Sequence, residues 1–486
     1  MTPGPSTLRV PIMRNPETQE DILGMVRRRY QRLTKRQEYT AQLYNDQGSQ
    51  YLVQIGVGTP PQNFTVTLDT GSADLWIPAS ECPKKSCPFA RFQEDRSTTF
   101  KDLQSNFGIQ YGIGNVNGTY ATDTVTVGGA SVQNQQFGLA TTTQDILTNP
   151  TPGDGSSTGG NTPANASGLT GNGILGLGYP QLTAATTQGQ QAYTPFVFNL
   201  VKQSVIQEPI FSIYLNSLAK KEWAGEIMFG GIDQSKYTGD LTYLPVATLQ
   251  NKPASLPEGD STKGRQGDSG GYYYWMVYGQ GISVRNGLEN PDFQLKRVGA
   301  FILDTGTTLT YLPTDVAIQI ARSIVGDSGF QVDRQSGVII IDCAASQSPA
   351  TVQLQMSQTK SITNNPVVLT VPARELIIPL TSSSSSSSDR TNTCLFGIAP
   401  MSGNGALGSE MFLIGDSILR SAYLVFDMGK NRVGIATAKG VGGSVNGNNT
   451  TAESTSNLSA TTALSGWPSC LLLISLIFAV MPAHLF

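Results

Sequence analysis

Phe64-Thr-Val-Thr-Leu-Asp69-Thr-Gly-Ser72 reads as an alternating β-strand that delivers an aspartate into a tight turn. Phe64, Val66 and Leu68 point to one side, Thr65 and Thr67 to the other. The pattern returns 235 residues later as Gly299-Ala-Phe-Ile-Leu-Asp304-Thr-Gly-Thr307, again an apolar strand, an aspartate, Thr-Gly and a hydroxyl residue. Two strands that each end in a carboxylate imply two similar halves facing each other across one site.

A chain of 486 residues has room for two or three domains and a core that needs no metal to hold it. Charged residues are sparse, at 14%, and Gly, Ser, Thr and Asn are abundant, which favours strands and turns over long helices. The net charge of −3 conceals a division. Residues 1–36 carry eight Lys or Arg against three acids, so the rest of the chain is near −8. An acidic body with a basic leader gives no support to nucleic-acid binding, and implies a leader that neutralises something acidic on the body.

Cysteine and histidine narrow the chemistry further. Cys82 and Cys87 lie close together, Cys343 and Cys394 follow in the second half, and Cys470 sits in an apolar tail. Four body cysteines in a chain with N-x-S/T sites read as two disulfides formed in an oxidising compartment, with proximity favouring 82–87 and 343–394. The single histidine is His484, near the end. Ser-His-Asp, Cys-His and His-based zinc sites are thereby excluded from the folded body. Any enzyme here works with carboxylates, hydroxyls, lysines or backbone, and no cofactor or metal is expected.

Taken in order, residues 1–15 lack the apolar core of a secretory signal, although disulfides, sequons and tail all call for secretion; a signal peptide upstream is expected. Residues 17–33 fit a basic helix, and Lys35-Arg36 reads as a processing site that closes a 1–36 segment; a retained, solvated basic arm is the alternative. A first lobe is expected over 37–215 and a second over 216–438. Tyr51–Gly58 reads as a strand broken by Thr59-Pro60-Pro61, and strands on either side of Gly112-Ile113-Gly114 read as a hairpin. Residues 148–172 and 250–271 are polar inserts, and Ser382–Ser388 is a serine run. Tyr272–Trp275 is expected to open a strand running through Val284. A Ser/Thr/Gly/Asn-rich linker over 439–466 precedes an apolar tail over 467–486. That tail has no Lys or Arg after it, and matches a glycolipid-anchor signal better than a retained membrane span or an ordinary secreted end. Sequons stand at Asn63, Asn117, Asn165, Asn448, Asn449 and Asn457. Of these, Asn117, Asn165, Asn449 and Asn457 are the candidates for glycans, while Asn63 lies close to the expected site.

The two halves share more than their aspartates. Gly176, within Ile174-Leu-Gly, follows Asp69 by 107 residues, and Gly415, within Leu413-Ile-Gly, follows Asp304 by 111. One Asp-Thr-Gly is usually a plain turn; the duplicated combination is specific. Asp69-Thr-Gly-Ser-Ala-Asp-Leu-Trp76, Tyr111-Gly112, Gly173-Ile-Leu-Gly-Leu-Gly178, Asp304-Thr-Gly-Thr-Thr308 and Ile414-Gly415-Asp416 resemble the motifs of pepsin-like aspartic endopeptidases, peptidase family A1, over roughly residues 40–438. Leu8-Arg-Val-Pro-Ile12 resembles the start of that family's inhibitory prosegment, and the inserts, sequons and tail are similar to fungal secreted or glycolipid-anchored members.

The resemblance implies a mostly β, bilobal fold with a cleft between pseudo-symmetric lobes and Asp69 and Asp304 as its catalytic pair. It implies supporting roles for Thr70, Gly71, Ser72, Thr305, Gly306 and Thr307, and a substrate-covering flap of Tyr111, Gly112, Ile113 and Gly114. Two carboxyls a few ångströms apart cannot both ionise cheaply, so the pair shares a proton and water can be the nucleophile. The apolar Ile113 implies a preference for bulky apolar residues. The expectation is an endopeptidase active in acid, made as a zymogen, monomeric, acting on proteins or peptides at the cell surface and held to a membrane by its anchor. A silent binding protein on the same fold and a two-carboxylate glycosidase are the rival readings.

Overall fold

The computed structural model describes residues 8–14, 51–111, 114–147, 171–219, 225–249, 271–334, 336–380, 393–401 and 411–446. The expected helix at 17–33, Lys35-Arg36, Gly112, Ile113, most of both polar inserts, the serine run, Asn165, Asn448, Asn449, Asn457 and the apolar tail lie outside these residues.

Strands dominate. The first half runs through β1 (Leu8–Arg14), β2 (Tyr51–Val57), β3 (Gln62–Asp69), β4 (Leu75–Pro78), β5 (Lys101–Gln110), β6 (Asn115–Val127), β7 (Ala130–Gln144) and β8 (Ile174–Gly176). Helices α1 (Ala184–Thr187) and α2 (Phe196–Lys202) follow, then β9 (Ile210–Leu215) and β10 (Gly225–Phe229). The second half holds β11 (Tyr237–Pro245), β12 (Met276–Arg285), β13 (Asp292–Leu303), β14 (Thr310–Pro313) and the amphipathic helix α3 (Thr314–Val325). Its later strands include Thr351–Ser357, Val367–Pro372, Ile398–Met401, Met411–Ile414, Ala422–Asp427 and Arg432–Ala438.

Each half builds its own β lobe, and a shared sheet joins them. In that sheet the last strands of the chain, Ala422–Asp427 and Arg432–Ala438, return beside β9, so the order runs β11, Arg432–Ala438, Ala422–Asp427, β9, β10, β1, β2, β3. The leader strand β1 is its bridge. It pairs antiparallel with β10 from Leu8↔Phe229 to Ile12↔Gly225, and then with β2 through Met13↔Leu52 and Arg14↔Tyr51. Alternation explains the insertion: Val10 and Ile12 are buried, and Arg9 stays exposed. Beneath the junction, Phe211 stacks on Phe426 at 4.7 Å, Trp275 meets Phe426 at 5.2 Å, and Trp275 Nε1 donates to Leu177 O at 2.9 Å.

Two boundaries and one burial differ from those expected. The strand expected from Tyr272 begins at Met276, because Tyr272–Trp275 serves the inter-lobe aromatic cluster, where Tyr179 packs on both Tyr272 and Trp275. The linker expected from 439 begins later: Ser444–Val445 pairs with Leu369 and Thr370, and Val441 and Val445 are buried. Thr67, expected on a polar face, is 2% exposed, because β3 is flanked by β2 and β8 and covered on both sides. Disulfides join Cys82 to Cys87 and Cys343 to Cys394. No helix among the described residues is long and apolar enough to cross a membrane.

Candidate active site

Asp69 ends β3, which pairs in parallel with β8 so that Asp69 lies opposite Gly176. β13 ends one residue before Asp304 and pairs in parallel with Met411–Ile414, Leu303 opposite Ile414. This accounts for the repeated apolar-apolar-Gly segments. A Cβ on Gly176 would come 2.6 Å from the Asp74 amide nitrogen, and one on Gly415 would collide with the carbonyls of Thr307 and Leu309. Each glycine lets one strand press against the turn that follows the aspartate. Leu177 N then donates to Asp69 O, and Asp304 N to Ile414 O.

The two turns meet face to face. Thr70 Oγ1 donates to Leu303 O at 2.7 Å and accepts from Thr305 N at 3.0 Å; Thr305 Oγ1 donates to Leu68 O at 3.1 Å and accepts from Thr70 N at 3.2 Å. Four buried bonds thus tie the ends of β3 and β13 together. Gly71 and Gly306 complete the approach: a Cβ on Gly71 would lie 2.5 Å from Asp304 Oδ1, and one on Gly306 would strike the Asp69 carboxyl. Nothing larger than glycine fits.

Within each turn the carboxylate is held in the same way. Asp69 Oδ1 accepts from Gly71 N at 2.8 Å and Oδ2 from Ser72 Oγ at 2.5 Å. Asp304 Oδ1 accepts from Gly306 N at 2.8 Å and Oδ2 from Thr307 Oγ1 at 2.6 Å. Both carboxyls are buried, at 3% and 0% exposure, and each feels the other. Burial pushes both above the ordinary carboxylate range. Asp304 goes well above, because the Asp69 charge adds to its burial; in Asp69 the bonds from Ser72 and Gly71 oppose the rise. Two buried carboxyls this close cannot both ionise cheaply, so they titrate as a pair.

The first half adds an aromatic cluster. Tyr111, at the end of β5, is buried with Trp76, Phe107, Val116, Tyr120 and Ile146, and Trp76 Nε1 donates to its hydroxyl at 3.0 Å. Tyr111 N donates to Gly114 O at 2.8 Å, closing the β5–β6 hairpin. Asn117 is exposed on β6, and Asn63 is exposed on β3. Sequence reasoning gave no role to one residue nearby. Asp74 is buried and accepts from Tyr120, Tyr193 and the Ala184 amide. Its signal was an acid inside an otherwise apolar run, with no Lys, Arg or His close to it in the sequence.

Comparison with known proteins agrees with this geometry. Residues 50–438 match the family described as eukaryotic aspartyl protease. The chain is 29% identical to mucorpepsin of Rhizomucor pusillus, over 82% of this chain and 81% of that protein. It is 32% identical to pepsin II-1 of Oryctolagus cuniculus, over 82% and 84%, and 29% identical to vacuolar protease A of Neurospora crassa, over 81% and 80%. The chain belongs to the eukaryotic aspartyl proteases, peptidase family A1, and is an aspartic-type endopeptidase.

Proposed function

We propose that this endopeptidase cleaves internal peptide bonds in acid by direct attack of water, with Asp69 and Asp304 as the catalytic pair. The observation that carries the reading is the mirrored pair of buried carboxyls, each held by a glycine amide and a hydroxyl of its own turn. Asp69, the more readily ionised, takes a proton from water as its oxygen bonds to the peptide carbon. Asp304 gives its proton to the carbonyl oxygen. The tetrahedral diol then collapses, the C–N bond breaks, the amine leaves with a proton from Asp69, and Asp304 recovers its own from a diol hydroxyl. Ser72 and Thr307 hold the outer oxygens, and Thr70 and Thr305 keep the turns in register. Tyr111 covers the bound peptide on a flap with Gly112, Ile113 and Gly114. Apolar Ile113 and the apolar cluster around Tyr111 support a preference for bulky apolar side chains before the cleaved bond.

The chain is made as a zymogen. Residues 1–36 are its prosegment, removed at Lys35-Arg36, and 37–215 and 216–438 are its lobes. In support, β1 fills a place in the sheet joining the lobes and is fixed there by Arg9, whose Nη1 lies 2.8 Å from Asp233 Oδ2. The protein passes through the secretory pathway, acts as a monomer on protein or peptide substrates, and carries glycans at Asn117, Asn165, Asn449 and Asn457. The linker ends in a tail, 467–486, exchanged for a lipid anchor at the cell surface. Its two disulfides support that route. Asp304→Asn tests the central reading. Cleavage of denatured globin at about pH 3–4 falls by a factor on the order of a thousand or more; a variant that still cleaves refutes it.

A further inference from the structure

Asp74 is a carboxyl that the mechanism above leaves idle. It lies five residues beyond Asp69, 1% exposed, and gathers three donors from three elements. Tyr120 Oη of β6 and Tyr193 Oη, from the segment before α2, donate to Oδ1 at 2.9 and 2.8 Å, and the Ala184 amide at the start of α1 donates to Oδ2 at 2.8 Å. The titratable groups facing it are Tyr111 and Tyr120 from the flap strands and Tyr193; no Lys or Arg bonds to it among the described residues. Tyr120 is the base of the flap. Its ring packs edge-on against Phe107 of β5 at 5.2 Å and against Tyr193 at 5.5 Å, and the same cluster holds Tyr111.

We propose that Asp74 is a positioning residue for the flap, whose ionised form ties the base of the β5–β6 hairpin to the Asp69 turn and whose neutral form lets the hairpin move during turnover. As a carboxylate it accepts three charge-assisted bonds. Once protonated it must donate, so one tyrosine hydroxyl turns round and the remaining bonds lose about half their strength. Burial without a cation, against the pull of its three donors, pushes the group up to about 6. The change therefore falls between acid and neutral pH. The second half has no counterpart: the fifth residue after Asp304 is Leu309, buried and apolar. The device belongs to the half that carries the flap.

The proposal rests on the reading of Asp69 and Asp304 as the pair, and its test separates the two. Initial rates on a quenched peptide are measured from about pH 3 to 7 for the activated full-length protein and for Asp74→Asn, with return to acid checking that the fold survives. Above about pH 6 the log of kcat/KM falls more steeply in the native protein than in the variant, by one unit of slope, because only the native protein also loses the Asp74 proton. At about pH 7 Asp74→Asn keeps roughly tenfold more of its acid activity than the native protein does. A role in scaffolding alone scales activity equally at every pH, and superimposable profiles overturn the proposal. If Asp74→Asn does not fold, Tyr193→Phe removes one donor and moves the upper inflection to higher pH; an unmoved inflection is equally fatal. Asp304→Asn, run alongside, reports on the pair only: residual cleavage sinks that reading whatever the Asp74 profile shows.

Discussion

At Asp69 the turn carries Ser72, lies under the Tyr111 hairpin, and leads five residues on to the buried carboxyl of Asp74; at Asp304 it carries Thr307 and leads to the apolar Leu309. Backbone bonds, paired glycines and threonine contacts are matched between the halves almost atom for atom. What surrounds them is not. On the proposed reading, orienting two carboxylates needs matched scaffolds, whereas covering a peptide needs a hairpin on one side only.

The strongest attempt to break the symmetry is to remove one carboxylate at a time. Asp69→Asn and Asp304→Asn each lower kcat/KM by about a thousandfold or more; a large loss in one and a small loss in the other would mean that one aspartate works alone. Next come the threonines that lock the turns. Thr70→Val and Thr305→Val each leave two buried backbone groups without a partner and cost roughly 2–4 kcal/mol in chemical unfolding. The two costs match because the bonds are reciprocal, and unequal costs would contradict that geometry.

Acid acts in opposite senses on the body of the protein and on the contact that holds β1. Asp69, Asp74 and Asp304 all sit above their ordinary range through burial, so the stability they contribute is full below about pH 4 and is lost as pH rises through their folded values. For Asp74 that loss is roughly 3 kcal/mol by about pH 7. Denaturant midpoints measured across this range fall toward neutrality, and Asp74→Asn flattens part of the fall. Asp233 behaves oppositely. Burial is outweighed by Ser235 and Arg9, its carboxyl is lowered, and the contact it gives β1 is lost as pH falls below the ordinary value. Arg9 is 59% exposed, so the effect is small: Arg9→Ala speeds release of the leader in acid by about twofold, followed by gel or mass spectrometry.

How far these features were legible depends on whether they were local. Both Asp-Thr-Gly turns and their glycine partners were written in the chain, because a strand that ends in an aspartate and a glycine that admits it are each a few residues long. Asp74 was not, since its meaning depends on Tyr120 and Tyr193, 46 and 119 residues away. Nor was the place of β1: Val10 and Ile12 alternate visibly, but the vacancy they fill is made by β2 and β10. Trp275 sat in an apparent strand start, and only the return of Phe426 beside Phe211 gives it its inter-lobe place.

Titration of the activated protein with a peptide carrying a statine-type hydroxyl, a mimic of the tetrahedral diol, tests the shared-proton pair most directly. The account predicts one molecule bound per chain in acid, complete loss of cleavage at that ratio, and binding weakened at least about a hundredfold by either Asp69→Asn or Asp304→Asn. Cleavage that persists in the saturated protein, or binding indifferent to both substitutions, would contradict it.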